Sequence, residues 1–118
     1  MTKSFELAKG STDARENGRI ILAHGEVTGH AHEVVGLGAS VEGIPPAQFF
    51  EEPDGRRVLI VERACVLTHQ EHGPITLDPT APTQIRQGDV LLHPLAAGVW
   101  QCIRQSEYDA NEIRRVAD

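Results

Sequence analysis

Short apolar, β-branched runs cut at close intervals by glycine and proline are the feature that most constrains this chain. RIILAHGEVT, HAHEVV, RVLIVERACVLTH, QGDVLLHP and GVWQCIRQSEY each read as a strand, and the 11 glycines and 7 prolines fall largely between them. No 3.6-residue period separates the runs, so strands alternating with helices are not indicated. The pattern predicts an all-β, single-domain barrel or sandwich over residues 19–118. Pro45-Pro46 cannot sit inside a sheet ladder, so the next strand is expected around Gln48 to Glu51. EPDGRR, with Asp54-Gly55 as its turn pair, signals a hairpin. RVLIVERACVLTH is the strongest strand run of all.

The two ends read differently. Residues 1–18 are polar and broken by Gly10 and Gly18, and are expected to form an N-terminal arm with little order of its own. DANEIRRVAD predicts a short C-terminal helix. Asp109 is its N-cap, Glu112 completes a capping box, and Arg114-Arg115 suit its negative end.

A chain of 118 residues can bury a core without help from metals or disulfides. Cys65 and Cys102 lie in apolar runs and read as reduced core thiols. The formal charge of -6 and the lack of any Lys/Arg run speak against tracking a nucleic-acid backbone. No apolar run approaches the roughly 18 residues of a membrane span, and MTKSFELAKG has no apolar signal region. The expectation is a soluble, cytoplasmic protein that neither enters a membrane nor binds nucleic acid. Free sheet edges make a homo-oligomer the expected assembly.

Chemistry concentrates in the histidines. Four of the six fall in two tight clusters, His30 with His32 and His69 with His72, and Glu71 lies inside the second. Alternation along a strand points His30 and His32 the same way. A bend before Gly73-Pro74 would be needed to bring His69 and His72 inward together. Imidazoles with a carboxylate suit zinc, iron, manganese or nickel, so the five residues are the candidate ligands of one divalent metal. The glycines around His30 leave room for a small-molecule ligand or a close backbone. The alternative is a non-enzymatic structural or interaction module, whose histidines form a structural metal site or a hydrogen-bond network. Four protein ligands would close a structural site, and three plus water would open it to chemistry. His24 and Glu26 could extend the site. His93 reads as a strand-end residue, Asp89 as part of a turn, Trp100 as core, and Arg104 as the polar end of the last strand. Gly18 to His30 and Gly55 to His69 echo each other as glycine, arginine, strand and histidine pair, which would put the pairs on two related units. No nucleophile elbow, phosphate loop or dinucleotide fingerprint is present.

GEVTGHAH, THQEHGPI and RQSEYDANEIRRVAD together resemble a family of small uncharacterised bacterial and phage-borne proteins with GEVTGHxH, THxEHGPI and QREY-like segments. The resemblance points to His30, His32, His69, Glu71 and His72, not to His24 or His93, and implies no reaction. A similar RQGDVLL string tends to open such proteins, and here it follows the histidine segments, so the strand order does not carry over. A looser resemblance is to cupins, small β-barrels with an HxH metal motif. The glutamate expected soon after that motif is replaced here by Val35, Gly36 and Leu37.

Overall fold

A computed structural model describes residues 5–25, 29–37, 43 and 45–104. Within them the chain is all-β, with two antiparallel sheets and no helix. The first strands are β1 (Thr12–Asp13), β2 (Ile20–His24), β3 (Ala31–Gly36), β4 (Ala47–Glu51) and β5 (Arg57–Val61). They are followed by β6 (Cys65–Thr68), β7 (Ile75–Leu77), β8 (Ile85–Gln87), β9 (Val90–Ala96) and β10 (Val99–Arg104). One sheet has six strands in the order β1-β4-β5-β10-β9-β8, and the other has four in the order β2-β3-β6-β7. The sheets do not join into a closed barrel. The C-terminal helix expected at Asp109 onward lies outside the described residues, as does Glu26.

The sheets share one core. Leu22 and Val34 come to it from the four-stranded sheet with Leu67 and Leu77. Phe49, Leu59, Leu92 and Trp100 come from the six-stranded one. Trp100 is fully buried and donates its indole N–H to the Thr83 carbonyl at 2.7 Å, so its one polar atom is satisfied. Both cysteines are buried, and no disulfide joins them. Burial pushes the Cys65 thiol up from its ordinary value against the smaller opposing effect of Arg63, and a thiol held neutral is a poor ligand or nucleophile.

Two local expectations need correction. RVLIVERACVLTH is not one strand. It breaks at Glu62–Ala64, with β5 in the six-stranded sheet and β6 in the other. The amides of Glu62 and Arg63 both donate to the Pro46 carbonyl, which fixes the crossing. The echo between the Gly18 and Gly55 segments consequently has no structural counterpart. β2 and β3 pair in one sheet, while β5 and β6 belong to different ones. The described part of the N-terminal arm makes contacts of its own. Thr12 and Asp13 pair with Glu51 and Phe50, and the buried Glu52 carboxylate accepts from the Ala8 amide at 3.0 Å.

Polar side chains bridge the two sheets where no strand does. Among the described residues, the β2 edge has carbonyls with no strand beyond them. Arg57 donates to the Leu22 carbonyl and Arg104 to the His24 carbonyl, each at 3.0 Å. On another strand, Gln87 at the end of β8 reaches across to Leu67 on β6 and to Gly73 in the β6–β7 connection. That contact fixes the position of the histidines.

Candidate functional site

His32 lies near the start of β3 on the core-facing side and is only 2 % exposed. A buried imidazole must satisfy both ring nitrogens. Nδ1 lies 2.8 Å from Gln87 Oε1, and Nε2 lies 3.0 Å from Asp89 Oδ1. The Gln87 amide nitrogen donates to the carbonyls of Leu67, at 2.9 Å, and Gly73, at 3.0 Å. Those two acceptors fix which way the amide points, so Gln87 presents its oxygen to the ring and His32 Nδ1 must carry a proton. Nε2 then faces a carboxylate, which only accepts. Either a second proton or a cation has to lie on that side of the ring.

The other three imidazoles gather around this one. The ring centres of His32 and His69 are 4.3 Å apart, those of His69 and His72 4.7 Å, those of His32 and His72 5.9 Å and those of His30 and His69 5.8 Å. The chain bends after β6 over residues 70–72, and that bend turns His69 and His72 to the same side although they are three apart. Side chains tie the bend to β3. Gln70 accepts from the Ala31 amide at 2.8 Å, and Glu71 pairs with His30 Nδ1 at 3.2 Å. The Glu71 amide donates to His69 Nδ1 at 3.0 Å, leaving the proton of neutral His69 on Nε2.

Electrostatics follow from this crowding. Desolvation lowers the His69 pKa, and His32, His72 and His30 lower it further, against a small opposing effect of Glu71. For Asp89, burial acts to raise the pKa. The hydrogen bond and charge of His32, with the Arg104 contact, outweigh it and hold the carboxyl below its ordinary value. Asp89 thus has one oxygen toward His32 and the other 3.5 Å from Arg104 Nε.

The five candidate residues are therefore brought together, with different standing. His32 is buried at the centre, and His69 and His72 lie against it. His30 and Glu71 form an outer pair, with the Glu71 side chain 63 % exposed. His24 is apart, paired with Glu16 at the surface, and His93 is exposed on β9. Of the two readings of the glycines near His30, a close backbone holds at Gly25, where a Cβ would lie 3.2 Å from the His30 carbonyl oxygen, and a Cβ on Gly29 would meet nothing within 4 Å. The sequence reading missed Gln87 and Asp89 as partners of His32. They flank Gly88 in the turn between β8 and β9, far from the histidines along the chain. Only the string QGD hinted at them, and it read as a plain turn.

As the side chains stand, no group of three or more His, Cys, Asp or Glu among the described residues is arranged to hold a metal ion. Both His32 nitrogens and His69 Nδ1 are engaged in hydrogen bonds. Likewise no helix among the described residues is long and apolar enough to cross a membrane.

A family model described as a domain of unknown function, DUF8820, matches residues 3–80. The chain belongs to the DUF8820 family. The matched stretch includes His30, His32, His69, Glu71 and His72 and ends before Gln87 and Asp89. No curated protein and no solved structure matches the chain.

Proposed function

We propose that the protein binds one divalent metal ion at the histidine cluster, with His32 and Asp89 as the fixed ligands. His72 and His69 would complete the set by small rotations of side chains on the bend. One observation supports this above the rest: Gln87 holds the proton on His32 Nδ1, so the opposite nitrogen is the one turned to Asp89. Histidines that bind metals are typically held in this way, with the other ring N–H donated to a fixed acceptor. The 3.0 Å between Nε2 and Oδ1 suits the same reading. Two atoms bound at about 2.0–2.1 Å to one ion lie roughly 2.9 Å apart at a right angle and roughly 3.4 Å apart at a tetrahedral one. A nitrogen-rich set with one carboxylate and no thiolate favours zinc, iron, manganese or nickel. His30 and Glu71 would stand at the rim, facing solvent and any small molecule that reaches the ion.

The second reading keeps the cluster as a hydrogen-bonded network that fixes the bend for a structural or interaction role. The Glu71 amide on His69 Nδ1 favours it, because it engages a nitrogen that could otherwise bind an ion. Elemental analysis of the protein purified without a histidine tag separates the two. The metal reading expects near-stoichiometric metal, lost in His32→Ala and in Asp89→Asn and kept in His93→Gln. Metal-free protein whose melting temperature does not move on adding zinc or iron(II) would leave the network.

A further inference from the structure

We infer that Gln87 is the positioning residue of the histidine site, a single side chain that sets both the orientation of His32 and the closure of the bend carrying His69, Glu71 and His72. Its carboxamide makes three hydrogen bonds while only 3 % exposed. The oxygen accepts from His32 Nδ1. The nitrogen spends both of its protons on main-chain carbonyls, Leu67 just before the bend and Gly73 just after it. The five residues between those carbonyls include three of the five candidate site residues. A carboxamide is the group this geometry needs. A carboxylate would offer the oxygen to His32 but no donors to the carbonyls, and an ammonium would do the reverse.

The inference deepens the proposed metal site and rests on it for one consequence only, the effect on metal affinity. The arrangement of hydrogen bonds stands without the ion. Partners that hold a metal-binding ring commonly alter metal affinity by about 10- to 100-fold when removed. They do so by loosening the ring that binds, not by touching the ion.

The test uses metal-free, 15N-labelled protein and Gln87→Met, which keeps the volume and removes all three bonds. The wild type should show a slowly exchanging His32 Nδ1–H in its imidazole 1H–15N spectrum. The Ala31 amide, which donates to the Gln70 side chain on the bend at 2.8 Å, should be protected from exchange. Gln87→Met should lose both, and zinc titrated alone into it should bind about 10- to 100-fold more weakly. A wild type without a protected Nδ1–H overturns the inference. So does a Gln87→Met protein that keeps that proton, or that binds zinc as tightly as the wild type. Should the wild type take up no zinc, the metal reading fails by itself, and the two exchange measurements still decide the role of Gln87. Should Gln87→Met not fold, Gln87→Glu replaces it. That variant is expected to keep the His32 proton and lose protection at Ala31, and unchanged protection there overturns the clamp.

Discussion

Three buried polar residues, His32, Gln87 and Glu52, carry much of what is specific here, and each is hydrogen-bonded. Desolvating such a group without a partner costs about 1–3 kcal/mol, more if it is charged. Glu52 offers a test at this scale. Its carboxylate pairs with Arg56 and accepts from the Ala8 amide. The Arg56 hydrogen bond is the largest influence, and with Ala8 it outweighs burial and holds the Glu52 pKa below its ordinary 4.5. A carboxyl lowered in the folded state stabilises the fold above its unfolded value. That contribution is lost as pH falls from about 4.5 through the lower folded value. Glu52→Gln should therefore show a flatter fall in stability through this range than the wild type, measured by urea unfolding at a series of pH values. An unchanged slope would mean that the arm is not held by this carboxylate. The sequence showed Glu52 as one of two glutamates before a turn, and nothing local marked it as the buried one.

At the scale of elements, the turn between β8 and β9 decides the site. Gly88 has φ +57°, a conformation that costs most residues about 1–2 kcal/mol. A Cβ there would also lie 2.6 Å from His72 Nε2. Gly88→Ala is therefore expected to cost about 1–2 kcal/mol in chemical denaturation and to displace His72. In the 1H–13C spectrum the ring signals of His72 should shift more than those of the distant His93. A variant with wild-type stability and an unmoved His72 would contradict the close approach. Strand positions were largely legible, because β-branched runs bounded by glycine and proline have few other ways to fold. β4 begins after Pro45-Pro46, and Gly55 turns the hairpin from β4 to β5. The break of RVLIVERACVLTH was not legible. Val58 to Val61 and Cys65 to Leu67 have the same β character on either side of Glu62–Ala64. The crossing depends on the Pro46 carbonyl, 16 residues earlier than Glu62.

For the whole molecule, three of the eight strand pairings join strands that are not consecutive in sequence. β1 pairs with β4, β3 with β6, and β5 with β10. Loop closure must precede the reward of such contacts, so refolding should take milliseconds to seconds and not microseconds. Trp100 is the sole tryptophan and is fully buried, so stopped-flow fluorescence reports on core formation directly. A microsecond phase carrying the whole amplitude would contradict the pairing. The outer strands β1, β7 and β8 have two, three and three residues, and the β2 edge is capped by Arg57 and Arg104. Short or capped edges give a second copy little backbone to pair with.

By itself the sequence determined the all-β class, most strand positions, the reduced core cysteines and the identity of the histidines that gather. Alternation, turn chemistry and hydropathy are local properties and act within a few residues. The tertiary structure alone decided which sheet each strand joins and which histidine is buried. It also decided that Gln87 and Asp89 complete the surroundings of His32. Those partners lie 55 and 57 residues from His32 along the chain. A hydrogen bond reaches about 3 Å, and only the packing of the two sheets brings such distant residues within that reach.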